Sequence, residues 1–212
     1  MEWTLVIPLK PLALAKSRLA DTATDGLRPG LALAFAEDTV AAALASPAVR
    51  DVAVVTDDAL AGRTLAALGA RIVPGEPRTG LNAALAHGAT AVRAVRPDSP
   101  LAALNADLPA LRPAELARVL DAAAEFPRAF LPDAAAIGTT LLAVAAGREL
   151  LPAFGTDSRA RHRASGAVEL ILDRVDSVRQ DVDTGEDLRT ALSLGVGPRT
   201  AAAAARLLTA GQ

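Results

Sequence analysis

Short apolar runs alternate along this chain with longer stretches of helical periodicity. The run Trp3-Thr4-Leu5-Val6-Ile7-Pro8 predicts a buried strand. Residues 31–45 predict a long alanine-rich helix entered through Pro29-Gly30. A buried strand over 51–56 closes on Asp57-Asp58, and a helix over 59–68 ends at Gly69, a residue suited to the C-terminal cap. A short strand at 71–73, a loop over 74–80 and a helix over 81–95 follow. Residues 101–105 read as a strand ended by Asp107-Leu108-Pro109, and 113–124 as a helix with proline at its favoured first position. This rhythm predicts a parallel sheet with right-handed crossovers.

After residue 125 the pattern loosens. Strands are expected at 129–131, 139–144, 168–172 and 178–182, with a helical stretch near 158–165. Helices over 184–194 and 199–210 close the chain. No linker rich in Pro, Gly or Ser divides it, so residues 1–212 are expected to form one domain.

Composition narrows the chemistry by exclusion. Cysteine is absent, which removes disulfides, zinc–thiolate sites and a thiol nucleophile. Tyrosine is absent too, and His87 and His162 are the two histidines, so a triad hydrolase is poorly supplied. A net charge of −2 argues against a broad footprint for nucleic acid. The start, Met1-Glu2-Trp3, lacks the basic and apolar regions of a signal peptide, and no apolar run approaches a membrane span. A soluble cytoplasmic protein is expected, with no membrane partner; the apolar alanine-rich helices allow a homodimer.

The first loop concentrates positive charge. Lys10, Lys16 and Arg18 follow the first strand closely. In an open α/β sheet, ligands bind at the carboxyl ends of the strands, and three cations there suit a polyphosphate. Asp107 also follows a buried strand, in Leu104-Asn105-Ala106-Asp107, and reads either as a ligand-facing carboxylate or as a turn or cap. In Asp181-Val182-Asp183-Thr184-Gly185-Glu186-Asp187, strand alternation would set Asp181 and Asp183 on one face. Thr184 and Asp187 are explained as a capping-box variant, which does not require Asp183. Two carboxylates from separate strand ends fit a hard cation such as Mg²⁺.

Three further segments are candidates. Gly80-Leu81-Asn82 opens a helix whose free N–H groups, with the Asn82 amide, would meet a nucleobase or ribose, or form a simple cap. Gly138-Thr139-Thr140 is the second. The third, Phe154-Gly155-Thr156-Asp157-Ser158-Arg159-Ala160-Arg161-His162, places a glycine loop before a basic helix start, suiting a phosphate or carboxylate, with Ser158 as an N-cap the plain alternative. Asp58 reads as a helix start, and His162 alone as surface or structural.

Taken in order, these motifs resemble the 2-phospho-L-lactate/phosphoenolpyruvate guanylyltransferases of deazaflavin coenzyme F-420 biosynthesis. The carriers are Pro8-Leu9-Lys10, Ala15-Lys16-Ser17-Arg18-Leu19, Ala106-Asp107-Leu108-Pro109-Ala110-Leu111, Gly138-Thr139, the segment from Phe154 to Ser158, His162 to Glu169, and Asp181-Val182-Asp183-Thr184. The resemblance implies a three-layer α/β/α fold with a mostly parallel sheet, of the nucleotide-diphospho-sugar transferase (glycosyltransferase-A-like) type, related to molybdenum-cofactor nucleotidyltransferases. Pro8-Leu9-Lys10-Pro11 replaces the glycine-rich turn of many relatives, which fits the guanylyltransferase branch. By position, Asp107 and Asp183 resemble the Mg²⁺ ligands. Thr139, with Thr140 beside it, Gly155 and Ser158 match positions that hold phosphoenolpyruvate, while Lys10, Lys16, Gly80 and Asn82 are expected on the nucleotide. The implied reaction joins GTP and phosphoenolpyruvate into enolpyruvyl-diphospho-5′-guanosine and pyrophosphate, with Lys10, Lys16, Arg18 and Asp107 as catalytic groups. Alternatives are 2-phospho-L-lactate or 3-phosphoglycerate as the acceptor, or a non-catalytic nucleotide-binding module.

Overall fold

The computed structural model describes residues 1–14 and 27–210, with the side chains of 208–210 left aside. Lys16 and Arg18 lie outside the described residues, as do the rest of the motif from Ala15 to Leu19.

A seven-stranded sheet organises the chain. Its strands are β1 (Trp3–Pro8), β2 (Val49–Val55), β3 (Arg71–Val73), β4 (Leu101–Leu104), β5 (Arg128–Pro132), β6 (Thr139–Val144) and β7 (Val168–Glu169). Their order is β3-β2-β1-β4-β6-β5-β7. Strands β1 to β4 pair in parallel, β6 runs antiparallel to both β4 and β5, and β7 is parallel to β5. The reversal matters for the site. It brings the start of β6, Thr139, to the edge where the other strands end.

Strand side chains alternate between two cores, as the pleat requires. Leu5, Ile7, Ala102, Leu104, Leu141 and Ala143 belong to one. Helices α1 (Arg28–Leu44), α2 (Ala59–Ala67) and α4 (Pro113–Ala123) cover that face, through residues such as Val40, Leu65, Leu116 and Leu120. Val6, Leu101, Ala103, Leu142 and Val144 face the other core, packed by Ala84, Leu85, Ala89 and Val92 of α3 (Leu81–Val95) and by Phe154. The result is the expected α/β/α layering. A third cluster joins Leu31 and Phe35 of α1 to Val182 and to Leu188 and Ala191 of α7 (Gly185–Leu194). Helix α8 (Pro198–Ala210) lies against α1, where the buried Asp38 accepts from the Arg199 and Thr200 N–H groups.

Local expectations hold at several ends. Asp58 caps α2, accepting from Leu60 and Ala61. Gly69 takes φ +103° just beyond that helix, a conformation that favours glycine. Pro113 opens α4. Thr184 and Asp187 form a reciprocal capping box at the start of α7.

Two expectations are corrected. The strand expected at 178–182 is instead a short helix, α6 (Asp176–Arg179), followed by irregular chain. Val175 and Val178, at the start and inside of this turn, pack into the main core, whereas Val182, beyond its end, packs into the cluster with Leu31 and Phe35, so the valines serve two cores rather than one strand face. Asp181 and Asp183 therefore do not share a strand face. The strand expected at 168–172 is the two-residue edge strand β7, whose pairing is extended by Leu170 N–H donating to Phe130 O. Ile171 beyond it is 90% exposed. Helix α5 (Ser158–Ala164) stands where a helix was expected.

Candidate active site

The site assembles at the edge where β1, β2, β4 and β5 end and β6 begins. Lys10 stands exposed just past β1, ahead of a turn of 3-10 helix at Leu12–Leu14. Asp58 fixes that approach, its Oδ2 accepting from the Leu12 N–H at 2.9 Å. Burial works to raise the Asp58 pKa, but the N–H groups of Ala61, Leu12 and Leu60, with Arg63 nearby, outweigh it and hold the carboxyl below its ordinary value.

Asp107 is half-buried past the end of β4 and Asp183 is exposed ahead of α7. Their loops are tied together: the Val182 N–H donates to the Asp107 carbonyl at 3.0 Å. Asn105 adds a second tie, its Nδ2 donating to Asp181 Oδ2 at 3.3 Å. Asp183 is held from the other side, its N–H donating to Asp187 Oδ2 at 3.1 Å within the capping network. No cluster of three or more His, Asp or Glu side chains with metal-site geometry occurs among the described residues. Asp107 and Asp183 place two carboxylates on adjoining loops. That suits a hard cation of the Mg²⁺ class, which binds through one or two carboxylates and takes the remaining positions from water and substrate phosphates.

Asn105 also reaches across the sheet. Its N–H donates to Thr140 O at 3.0 Å, and its Nδ2 lies 3.5 Å from Thr139 O, so the end of β4 and the start of β6 are stitched together. Thr139 is itself prepared by Asp133, whose carboxylate accepts from the Ile137 and Gly138 N–H groups and closes the β5–β6 turn. A Cβ at Gly138 would meet the Asp133 carboxylate, so a side chain there would displace the group that closes this turn.

The third part is the 154–158 loop. Gly155 is exposed with φ +109°, and the Ser158 N–H donates to its carbonyl at 3.0 Å. Ser158 is buried as the first residue of α5; Asp157, not Ser158, occupies the capping position, at φ +54°. His162, one turn further on, is fully buried and contacts Thr139 Oγ1 through Nδ1 at 2.9 Å. Burial pushes its pKa down to about 4, reinforced by the charges of Arg128 and Arg161.

Asn82 binds the backbone of the glycine loop through both ends of its amide. Its Oδ1 accepts from the Phe154 N–H at 2.8 Å and its Nδ2 donates to the Phe154 carbonyl at 3.0 Å. These two bonds clamp the 154–158 loop to the start of α3, and they use one of the two N–H donors and one of the two oxygen lone pairs of the amide, which leaves the expected contact with a base or ribose chemically open. Gly80, at φ +112°, remains exposed at that helix start.

Asp107, Asp183, Thr139, Gly155 and Ser158 are thus brought to one region through hydrogen-bonded neighbours, with Lys10 at the end of β1 on the same edge. Against this geometry, a family model described as guanylyl transferase, CofC-like, matches residues 3–202. The chain belongs to the CofC-like guanylyl transferase family. A phosphoenolpyruvate guanylyltransferase of Streptomyces coelicolor is 82% identical over 212 residues, covering 100% of both chains. One from Streptomyces avermitilis is 83% identical over 211 residues, covering 100% of this chain and 98% of its own. Among solved structures, a nucleotidyl transferase from Methanothermobacter is 25% identical with a TM-score of 0.67, covering 91% of this chain and 97% of its own. A Mycobacterium tuberculosis protein solved in complex with manganese is 22% identical with a TM-score of 0.54, covering 91% and 99%. These likenesses agree with the expected nucleotide-diphospho-sugar transferase fold.

In this CofC-like chain the sequence motifs pointed to the acids and the glycine loop but missed the residues that join them. Asn105 lay within the quoted strand-end motif, and its place directly after a buried strand was the available signal. Asp133 had a comparable signal, following the Phe130-Leu131-Pro132 strand end. His162 stood at the end of the quoted glycine-loop segment, but its burial against Thr139 was not legible there, since that partner comes from a distant strand.

Proposed function

We propose that the chain is a phosphoenolpyruvate guanylyltransferase that joins GTP to phosphoenolpyruvate, giving enolpyruvyl-diphospho-5′-guanosine and pyrophosphate, a step of coenzyme F-420 biosynthesis, and that residues 1–212 act as one catalytic domain. The observation that carries this reading is the Val182–Asp107 hydrogen bond, which seats the two acidic loops together on the edge that also bears Thr139 and Lys10.

The acceptor brings its own nucleophile. A phosphate monoester has a second pKa of about 6 and is mostly dianionic near neutral pH, so no general base is needed. An oxygen of that phosphate attacks the α-phosphorus of GTP, and the bond to the bridging oxygen of the β-phosphate breaks, releasing pyrophosphate. The barrier lies in bringing two anions together. Asp107 and Asp183 would hold Mg²⁺, which neutralises triphosphate charge and orients it when bound. The manganese complex of the mycobacterial neighbour supports a divalent ion of this class. Lys10, with Lys16 and Arg18 of the same loop, takes up negative charge on the leaving pyrophosphate. The Thr139 hydroxyl, the Gly155 backbone and Ser158 hold the three-carbon acid in line. The exposed start of α3 at Gly80 receives the nucleotide. Catalysis is positional and electrostatic, and the lack of cysteine and tyrosine is no handicap.

The test is pyrophosphate release with GTP, Mg²⁺ and phosphoenolpyruvate, 2-phospho-L-lactate or 3-phosphoglycerate in turn. Phosphoenolpyruvate with GTP is expected to give the fastest turnover. A faster reaction with either other acid, or with CTP or ATP in place of GTP, would overturn the assignment.

A further inference from the structure

His162 settles its own tautomer. Its ring lies buried between Phe130 and Phe154, with centroids 5.6 and 5.0 Å away. The Ala153 N–H points at Nε2, 3.0 Å distant, and Nδ1 stands 2.9 Å from Thr139 Oγ1. A backbone N–H only donates, so Nε2 is an acceptor and carries no proton. A neutral imidazole holds one proton, which must then sit on Nδ1. The reverse arrangement, with threonine donating to Nδ1, would leave the ring with no proton at all. Nδ1–H therefore donates to Thr139, and the hydroxyl keeps its own proton for something else. Among the described residues it makes no other hydrogen bond.

We infer that His162 is a positioning residue that fixes the Thr139 hydroxyl as a donor toward the anionic phosphate or carboxylate of the acceptor, and ties that donor, through Ala153, to the loop carrying Gly155 and Ser158. This deepens the proposed function and rests on its reading of Thr139 as an acceptor contact. The arrangement needs an uncharged ring. A second ring proton would face the Ala153 N–H donor to donor. The charged groups acting on the ring, Arg128 and Arg161, are both cations and oppose that proton, as does burial.

Long-range ¹H–¹⁵N spectra of the intact protein test the tautomer directly. His87 is an internal contrast: its Nε2 lies 2.8 Å from the Pro74 carbonyl, which can only accept, so His87 carries its proton on Nε2. One histidine of each tautomer is expected at neutral pH, with His162→Asn removing the Nδ1–H signal. An Nε2–H pattern for both would overturn the inference. Kinetics test the role. His162→Phe is expected to raise the phosphoenolpyruvate KM about tenfold or more with the GTP KM within about twofold, the loss expected when a bond to a charged group goes. His162→Asn, which keeps an N–H near the Nδ1 position, should recover most of it. On a Thr139→Val background, His162→Phe should add little, because both act through one hydroxyl. Full additivity, or equal losses for both substrates, would mark a merely structural histidine and end the proposal. Should Thr139→Val itself leave the acceptor KM unchanged while the spectra show Nδ1–H, the reading of Thr139 fails and the positioning role falls with it, with the tautomer intact.

Discussion

Val182 donates its backbone N–H to the carbonyl of Asp107 at 3.0 Å, joining the chain after β4 to the chain before α7. The Val182 side chain is fully buried with Leu31, Phe35 and Leu188, so the bond is anchored in a core. Asp183 follows immediately, so this one backbone bond holds the chain at 107 beside the chain that leads into 183.

Asp107→Asn and Asp183→Asn are each expected to lower turnover by about 10²-fold or more at saturating GTP, the scale of losing a principal charge-stabilising group. The loss should be larger at low Mg²⁺ than at high Mg²⁺. Initial rates of pyrophosphate release across a Mg²⁺ titration measure it. Near-normal rates for Asp107→Asn at saturating Mg²⁺ would remove the carboxylate from the mechanism.

Asn82 separates a clamp from a nucleotide contact. Asn82→Ala removes both bonds to Phe154 and leaves those backbone groups to find other partners, a cost of about 1–3 kcal/mol. If Asn82 works as a clamp, the acceptor KM rises while the GTP KM holds. A selective rise in the GTP KM would establish the amide as a nucleotide contact.

How far the sequence could be read follows from how far apart in the chain each cause lies. The strands β1 to β4 and their helices were legible because buried runs and caps such as Asp58 and Pro113 act within a few residues. The acids at strand ends were legible for the same reason. The antiparallel turn of β6 was not, and neither was the Asn82–Phe154 pairing across 72 residues, because both depend on partners that only the fold brings near. At 178–182 valines suggested a strand, but Val178 and Val182 are buried in different cores, a division that only the fold reveals.

Gly88 sets how closely α3 lies on the sheet. A Cβ there would stand 2.5 Å from Val55 Cγ2 and Val6 Cγ1, both on fully buried strand residues. Gly88→Ala is expected to cost about 1–3 kcal/mol through overpacking, despite the better helix propensity of alanine. A calorimetric midpoint lowered by roughly 2–4 °C per kcal/mol checks it. An unchanged or raised midpoint would mean that α3 shifts freely, which its clamp at Asn82 opposes.

The buried histidine gives stability a defined acid dependence. The His162 pKa falls from 6.5 to about 4 on folding, so the unfolded chain binds a proton that the folded chain refuses. Where the unfolded state holds more protons, stability rises with pH. The contribution is therefore complete above pH 6.5, shrinks as pH falls from there, and is exhausted below about pH 4. A shift of this size corresponds to about 3 kcal/mol, as an order of magnitude. His162→Phe keeps the ring packing and cannot titrate, so its denaturation midpoint should depend less on pH across that window than the parent's. Urea unfolding at intervals between pH 4 and pH 7, for both proteins, measures the difference. Parallel curves would show that the imidazole takes up its proton without cost, and that the Ala153 and Thr139 contacts do not hold it neutral.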